Sequence, residues 1–285
     1  MTFTITNILS KTFEDINSSG NLSITKSDIE YCLMEAIKKD RSYIHMHDIH
    51  LNSEEELKFF KLIDNLKKGM PLAYVLGYQE FYNNKFFVND NVLIPRQDTE
   101  IIISKAIKAG DKIYKKYGNT TIIDVGSGSG CIGLSIAAER KNWNIILTEK
   151  YQEAFEMLNK NYINNNYKNC ELIMCDWLTA FNENIADIII SNPPYIEKGS
   201  PYIQESVKKY EPERALYSKD KGLYDIKRII TESRKTLKTN GLLILENGFD
   251  QNSAVRKILE TNYFKDIDVI LDYNNIKRFT LSKNS

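Results

Sequence analysis

Four consecutive residues, Asn192-Pro193-Pro194-Tyr195, have the types and spacing to hold a planar nitrogen group, and we call them the acceptor motif. The Asn192 side-chain oxygen and the Pro193 carbonyl can each accept one N–H of an NH2 group, which fixes its plane and raises electron density on nitrogen. The two prolines lock the backbone in advance, and the Tyr195 ring can pack against the group. These properties suit methyl transfer to an amide or arylamine nitrogen without a strong base, although the same residues also fit a rigid turn.

A glycine-rich segment, residues 124–130 (Asp-Val-Gly-Ser-Gly-Ser-Gly), lies between a predicted strand and a predicted helix, and we call it the glycine loop. Glycines let the backbone turn sharply and approach a ligand, and the N-terminus of the following helix offers free N–H groups to an anion. Its spacing differs from the dinucleotide fingerprint Gly-x-Gly-x-x-Gly, but Gly133 follows closely. By itself the loop therefore indicates only a nucleotide-type ligand.

Two further side chains are placed to complete an adenosine site. Glu149 ends the second predicted strand, about 20 residues after the glycine loop, where a carboxylate can accept both ribose hydroxyl hydrogens. Glu149 could instead cap the helix that starts near Tyr151. After the third strand, Cys175-Asp176-Trp177 supplies a carboxylate and an aromatic face for an adenine ring, but core packing explains Trp177 nearly as well.

Short apolar strands alternate with amphipathic helices from residue 121 onward. The predicted strands are 121–125, 144–148, 171–174, 186–191, 241–246, 267–271 and 277–281, and the predicted helices are 131–140, 152–164, 224–238 and 252–261. This alternation predicts a mostly parallel, doubly wound sheet whose carboxyl edge collects both motifs. The last two strands, joined near Asn274-Asn275, predict an antiparallel pair at the sheet edge.

The first 70 or so residues carry helix signals instead. Ser27 with Glu30 and Ser53 with Glu56 fit capping boxes, and a Gly69-x-Pro71 sequence is a stop signal. The apolar residues expected to form the helical core are Ile29, Leu33, Ile37, Phe59, Phe60, Ile63 and Leu66. We therefore predict a helical domain over residues 1–77.

Aromatic and β-branched residues around Asn83-Asn84 predict a β-hairpin. We place this hairpin at residues 78–92 as the connector between the helical domain and a second domain over residues 93–285. A chain of 285 residues is long enough for one large and one small domain.

Charge and composition narrow the classes of partner. Basic and acidic residues balance at 38 each, so no global positive field attracts a nucleic acid, and a protein or small-molecule acceptor is favoured. No apolar run approaches membrane-spanning length, and the N-terminal residues lack the basic region followed by an apolar region that is typical of a secretion signal, so we expect a cytoplasmic protein without membrane association. Neither the four cysteines nor His45, His47 and His50 form a metal-binding framework, so we expect no metal.

Several segments outside the two motifs carry a family resemblance. These are residues 71–77 with 80–82, residues 93–100 (Leu-Ile-Pro-Arg-Gln-Asp-Thr-Glu), residues 210–216 and residues 222–223. Together with the glycine loop and the acceptor motif, they resemble the peptide chain release factor N5-glutamine methyltransferases, the HemK/PrmC family, along nearly the whole chain. Departures are mild: Gln97-Asp98 replaces Pro-Glu, Glu149 stands where Asp is commoner, and Glu246-Asn247-Gly248 replaces Glu-Ile-Gly.

The resemblance implies a class I S-adenosylmethionine-dependent methyltransferase with a Rossmann-like seven-stranded sheet, joined by a β-hairpin to an N-terminal helical bundle. It implies S-adenosyl-L-methionine as cofactor, S-adenosyl-L-homocysteine as product, and no metal. The implied cofactor contacts are Gly126, Ser127, Gly128, Ser129, Gly130, Glu149, Trp177 and Asn192. The implied glutamine-binding residues are Asn192, Pro193, Pro194 and Tyr195, of which Asn192, Pro193 and Tyr195 are the expected catalytic set.

The implied acceptor is the glutamine of the Gly-Gly-Gln motif in class 1 release factors, presented by a factor bound to the helical domain, with no direct nucleic-acid binding. A glutamine methyltransferase of a ribosomal protein uses the same chemistry, and so does an adenine or guanine amino-group methyltransferase. An adenosine-ligand sensor without catalysis and a dinucleotide dehydrogenase are the remaining alternatives.

Overall fold

The computed structural model describes residues 3–18 and 24–285, and its chain divides into two compact units. The first unit extends to Tyr78 and also includes Gln204–Tyr210, while the second comprises Gln79–Ile203 and Glu211–Ser285. This division groups most of the hairpin with the second unit and assigns a short later segment to the first. The predicted domains 1–77, 78–92 and 93–285 remain a prediction, and residues 1, 2 and 19–23 of the first lie outside the described ranges.

Helices build the first unit. They are α1 (Ile5–Ser18), α2 (Lys26–Ile37), α3 (Arg41–Met46), α4 (Ser53–Lys67) and α5 (Leu72–Leu76). The helix signals were right in kind, but both capping boxes were placed wrongly. The residues with extended backbone that cap α2 and α4 are Thr25, paired with Asp28, and Asn52, paired with Glu55. Ser27 and Ser53 already lie inside the helices, where their backbone cannot act as an N-cap.

The core of the first unit follows the helical spacing with one exception. Ile29, Leu33 and Ile37 are buried, as are Phe59, Ile63 and Leu66. Phe60 was wrongly predicted as core, because it is 38% exposed. It follows Phe59 directly, and consecutive helical residues point in directions about 100° apart, so only one of the two rings faces inward.

The predicted hairpin is present as β1 (Tyr78–Phe81) and β2 (Asn84–Phe87). Its turn lies one residue earlier than Asn83-Asn84, because Asn84 is already the first residue of β2. Tyr82 and Asn83 have positive φ angles of 47° and 60°. Two such residues in succession match the twist of a two-residue hairpin.

The second unit contains the predicted sheet. Its strands are β3 (Thr121–Val125), β4 (Asn144–Glu149), β5 (Cys170–Met174), β6 (Ala186–Ser191), β7 (Leu237–Glu246), β8 (Phe264–Leu271) and β9 (Lys277–Asn284). The order in the seven-stranded sheet is β5-β4-β3-β6-β7-β9-β8. The first five strands pair in parallel, and β9 pairs antiparallel with both β7 and β8. The predicted late antiparallel pair is therefore confirmed.

The remaining helices follow the hairpin in the chain. They are α6 (Glu100–Tyr117), α7 (Cys131–Glu139), α8 (Gln152–Asn165), α9 (Glu205–Tyr210), α10 (Glu213–Leu216), α11 (Lys219–Gly222), α12 (Tyr224–Thr236) and α13 (Asn252–Thr261). Of these, α9 belongs to the first unit. In the described ranges, no helix is long and apolar enough to cross a bilayer.

The central strand β6 is buried along its whole length and contributes to two hydrophobic clusters. Ile188 and Ile190 join the cluster that includes α6 and α7, whereas Ile189 joins the cluster that includes α12 and α13. Alternate side chains of a strand point to opposite faces, so both faces of the sheet are covered. This is the doubly wound arrangement that the alternation predicted, and it brings the ends of β3, β4 and β6 to one edge.

Candidate active site

A cavity of about 550 Å3 opens at this edge of the second unit, a volume typical of small-molecule sites. Its wall brings together most of the predicted site residues: Gly126, Ser127, Gly128, Ser129, Glu149, Trp177, Asn192, Pro193 and Pro194. Gly130 and Tyr195 are the two predicted site residues that do not line it. The glycine loop and the acceptor motif therefore share one cavity, as their positions after β3 and β6 predicted.

The glycine loop has the backbone conformation that glycine favours. Gly126, Gly128 and Gly130 have φ angles of 69°, 54° and 81°. A Cβ atom on Gly126 would lie 2.7 Å from the Trp177 ring, and one on Gly130 would lie 2.5 Å from Leu158. Both contacts are too close for a Cβ atom, so the loop packs this tightly against Trp177 and Leu158 only with glycine at these two positions.

Asp124 anchors the loop from the end of β3. One carboxylate oxygen, Oδ2, accepts the Gly133 N–H at 2.9 Å, while Oδ1 is buried and has no hydrogen-bond partner within the described residues. Burial raises the pKa of this carboxyl group to about 7. Below about pH 7 the folded protein therefore favours the protonated form of Asp124, since burying a charge is costly.

Glu149 holds the backbone of the glycine loop and of the two residues just before α8. Its Oε1 accepts the N–H groups of Lys150 and Tyr151 at 2.8 and 3.0 Å, which supports the start of α8. Its Oε2 accepts the Gly128 N–H at 3.1 Å. The side chain lies in the cavity wall with the residue only 7% exposed. It accepts from residues before the first turn of α8, so no side-chain cap of that helix is formed. The ribose contact stays a prediction.

The residues after β5 also line the cavity. Trp177 adopts a left-handed backbone conformation with φ of 51°, and its half-buried ring packs close to Gly126. The Asp176 carboxylate is held by Arg228 at 3.1 Å and by Lys150 at 3.2 Å. The adenine contact predicted for Asp176 would therefore involve a carboxylate that already has cationic partners.

Backbone and hydroxyl contacts fix both ends of the acceptor motif. Just before it, the Ser191 hydroxyl donates to the Val125 carbonyl at 2.6 Å, which joins the ends of β6 and β3. Just after it, the Ile196 N–H donates to the Leu216 carbonyl, and the Ile196 carbonyl accepts the Ser218 N–H, at 3.0 and 2.9 Å. Because these contacts bracket the motif, its rigid prolines can hold the Asn192 and Pro193 oxygens in one orientation.

Tyr195 is placed behind the motif and not in the cavity wall. Its hydroxyl donates to Glu246 Oε1 at 3.0 Å, and its ring packs against the cluster that includes α12. Its carbonyl accepts a 2.8 Å hydrogen bond from Gln251 Nε2. The sequence predicted that this ring packs against the acceptor group, whereas these contacts direct it toward the protein interior.

Thr99, Glu246 and Gln251 support the site and were not among the predicted site residues. Thr99 Oγ1 donates to Glu246 Oε2 at 2.8 Å, and Gln251 Oε1 accepts the Gly248 N–H at 2.9 Å. Thr99 lies in a segment that carries the family resemblance, and Glu246 is the unchanged first residue of the Glu246-Asn247-Gly248 departure, so the resemblance was the one sequence signal available for them. Gln251 carries no such signal.

The departure at Asn247 is accommodated by hydrogen bonds. Asn247 is fully buried, its Nδ2 donates to the Gly248 carbonyl at 3.0 Å, and its Oδ1 accepts the Thr280 hydroxyl at 2.8 Å. Both ends of the amide are thus hydrogen-bonded, as a buried polar side chain requires.

Potential metal ligands are dispersed. Within residues 3–18 and 24–285, no group of three or more His, Cys, Asp or Glu side chains could hold a metal ion. The three histidines lie in the first unit, where His47 stacks on Tyr43 and His45 Nε2 is 3.7 Å from Glu30. The expectation of metal-free chemistry stays a prediction.

Comparison with known protein families assigns the two parts of the chain. Residues 10–77 match the PrmC N-terminal domain, and residues 111–209 match the methyltransferase small domain. The release factor glutamine methyltransferase of Francisella tularensis is 36% identical over 257 residues, covering 90% of this chain and 89% of the relative. The enzyme of the same name from Mycoplasma mycoides is 33% identical and covers 100% of both chains.

Solved structures support the fold. The catalytic domain of hMettl16 in complex with MAT2A 3′UTR hairpin 6 has a TM-score of 0.56 at 14% identity, covering 84% of this chain and 86% of that one. A methyltransferase from Pyrococcus furiosus has a TM-score of 0.50 at 15% identity, covering 70% and 88%. At these identities, the similarity concerns the methyltransferase fold alone.

Proposed function

Because this chain belongs to the release factor glutamine methyltransferase family, we propose that it methylates the side-chain nitrogen of the glutamine in the Gly-Gly-Gln motif of class 1 release factors, tuning translation termination. The observation that carries the proposal is that the glycine loop and the acceptor motif line one cavity. A donor bound to the loop would thus face an amide bound to the motif. A cytoplasmic location is part of the same proposal.

The cavity wall fits S-adenosylmethionine. The glycine conformations let the loop pack closely against its neighbours, and α7 begins directly after the loop, where a helix N-terminus favours an anionic group such as a carboxylate. We assign Gly126–Gly130 to the methionine part, Glu149 to the ribose hydroxyls and Trp177 to the adenine, with Asn192 at the transfer end. Bound there, the cofactor supplies a sulfonium methyl group and leaves as S-adenosylhomocysteine.

The acceptor motif orients the amide group and does not act as a base. An amide nitrogen is a poor nucleophile because its lone pair is delocalised, so its plane must be fixed relative to the methyl group. We assign the Asn192 side-chain oxygen and the Pro193 carbonyl to the two N–H groups of the glutamine amide. As carbon–nitrogen bond formation makes these hydrogens acidic, the two oxygens stabilise the developing positive charge, and one proton leaves to water.

Pro194 and Tyr195 complete the assignment. Pro194 lines the cavity beside Pro193 and, having a fixed φ, limits the directions in which the Pro193 carbonyl can point. Tyr195 follows Pro194 directly and holds this end of the motif through its attachment to the protein interior.

The experiment is methyl transfer with purified components. The enzyme and labelled S-adenosylmethionine are incubated separately with a class 1 release factor, with ribosomal proteins and with nucleic acid, and peptides are mapped by mass spectrometry. We expect one methyl group on the Gly-Gly-Gln glutamine, and none on a matched factor in which glutamate replaces that glutamine. Label confined to nucleic acid or to a ribosomal protein would overturn the acceptor assignment.

A further inference from the structure

A buried carboxylate, Glu246, lies behind the acceptor motif and takes no part in the chemistry proposed above. The residue is 2% exposed and ends β7, where its backbone pairs with Phe279 of β9. Both carboxylate oxygens are used: Oε1 accepts the Tyr195 hydroxyl at 3.0 Å and Oε2 accepts the Thr99 hydroxyl at 2.8 Å. Glu246 is therefore a fixed acceptor built into the sheet.

Burial of the Glu246 carboxylate costs free energy, and the surrounding contacts offset part of that cost. Burial raises the pKa of the Glu246 carboxyl group, while the hydrogen bonds from Thr99 and Tyr195 and the charge of Arg278 act in the opposite direction. Arg278 is itself held by Asp272 through a 3.0 Å contact between Nε and Oδ2. A buried carboxylate with dedicated donors is expensive to maintain, and an apolar residue would fill the space at less cost.

Tyr195 connects Glu246 to the acceptor motif. Its hydroxyl is held by Glu246 and its carbonyl by Gln251, so the residue is fixed at both ends. Burial, together with the Glu246 carboxylate, raises the pKa of the Tyr195 hydroxyl, which keeps its proton and remains a donor. The bonded neighbours of Tyr195 toward Asn192 are two prolines, which have no free φ rotation to absorb a displacement.

We propose that Glu246 is a positioning residue, which acts through the Tyr195 hydroxyl to aim the Asn192 and Pro193 oxygens at the acceptor amide. The inference rests on the proposed function of the acceptor motif. In this role Tyr195 is the link between the motif and the sheet, and Thr99 holds the second oxygen of the same carboxylate. Loss of the anchor leaves the glycine loop intact but lets the acceptor oxygens turn away from the amide plane.

Substitutions that remove or retain the hydrogen bond provide the test. Y195F deletes one hydroxyl, E246L deletes the acceptor at similar volume, and E246Q keeps an oxygen for Tyr195. We expect Y195F and E246L to lower kcat by about tenfold to 100-fold, because displacements near 1 Å at a reacting group have effects of that order. E246Q should stay within about threefold of wild-type kcat, and KM for S-adenosylmethionine should change less than about threefold in all three.

The double variant Y195F/E246L separates positioning from general damage. If both residues act through one hydrogen bond, its kcat should be no lower than that of the more impaired single variant. The matched control is D187N, because Asp187 is a buried carboxylate at the other end of β6, bonded to the Thr121 N–H and to Lys238. D187N should lower the thermal midpoint and leave kcat within about twofold. Additive losses in the double variant would overturn the proposal.

A second measurement does not depend on the acceptor. The side-chain NH2 signals of Asn192 in the full-length protein are followed by NMR in wild type, Y195F, E246Q and D187N. We expect altered shifts and broader lines only in Y195F, because only that variant frees the motif. Unchanged Asn192 signals in Y195F would overturn the positioning role, whereas wild-type enzyme that leaves the release factor unmodified would overturn only the proposed acceptor.

Discussion

The contacts that fix each side of the cavity join residues at different separations in the sequence. On the cofactor side, the hydrogen bonds from the glycine loop reach residues about one strand away, with separations of 21 positions for Gly128 to Glu149 and 22 for Gly126 to Thr148. On the acceptor side, Tyr195 is 51 positions from Glu246, and Thr99 is 147 positions from it. The glycine loop and Glu149 are therefore encoded in one stretch of sequence, whereas the direction of the acceptor motif depends on residues far along the chain.

N192A, which removes one of the two oxygens assigned to the acceptor, tests most strongly whether the two sides of the cavity act independently. We expect turnover to fall by about 100-fold or more, with affinity for S-adenosylmethionine within about tenfold of wild type. Initial rates and calorimetric titration measure the two quantities. If cofactor affinity falls as far as turnover, the two sides of the cavity are not independent.

The acceptor side can also be impaired without touching the motif. Gly222 has a φ of 82°, and a Cβ atom there would lie 2.0 Å from the Tyr195 carbonyl oxygen and 2.6 Å from Gln251 Nε2. G222A should displace Tyr195 and lower turnover by about 30-fold, while cofactor affinity is retained.

Gly199 offers the matched control for that substitution. It has a φ of 91° but no atom within 4 Å of a Cβ position, so G199A introduces backbone strain alone. G199A should lower turnover less than about threefold. Equal losses in G222A and G199A would show that strain, and not contact with Tyr195, is responsible.

A glycine substitution on the cofactor side should have the opposite result and weaken cofactor binding while sparing turnover. G126A places a Cβ atom 2.7 Å from the Trp177 ring at a φ of 69°, so the ring or the loop must move. We expect the Kd for S-adenosylmethionine to rise by about tenfold, equivalent to about 1.4 kcal/mol, while turnover at saturating cofactor changes little. Gly118, with a φ of 77° and open space around it, supplies the control G118A, which should leave Kd unchanged.

On the cofactor side, we also expect the stability of the protein to depend on pH through Asp124. The folded-state pKa of Asp124 is raised by burial from 3.8 to about 7, so its contribution to stability is complete below about pH 4 and is lost as pH rises through 7. D124N should remove this loss, which is at most about 1.4 kcal/mol per pH unit. Urea unfolding of both proteins between pH 4 and 8 measures it, and parallel curves would contradict the assignment.

The same difference in range explains what the sequence could predict. Every predicted strand of the second unit is present, because apolar runs and the glycine loop are local patterns. Helix α6 was not predicted, and Gly110 in its interior disfavours a helix by about 1 kcal/mol. That glycine is there because a Cβ atom would lie 2.3 Å from the Trp143 ring, a requirement that becomes visible only when the chain is folded.

The role of Tyr195 shows the same limit. The order Asn-Pro-Pro-Tyr predicted where the motif lies, but a strand-to-loop sequence does not specify which way a ring points. That direction depends on Glu246 and Gln251, whose distances from Tyr195 in the sequence leave no periodic signal. The same reasoning applies to Trp177, whose ring packs on a loop 51 positions earlier, at Gly126.

The long separation between Thr99 and Glu246 also bears on how the protein is made. A chain emerges from the ribosome amino terminus first, and its early parts can fold before its later parts exist. The glycine loop and Glu149 precede Glu246 by about 100 residues, so we expect ribosome-arrested chains to gain cofactor affinity before transfer activity, which filter binding and transfer assays on chains of increasing length would show. Until β7 is added, the growing enzyme would carry its methyl donor without yet being able to pass it on.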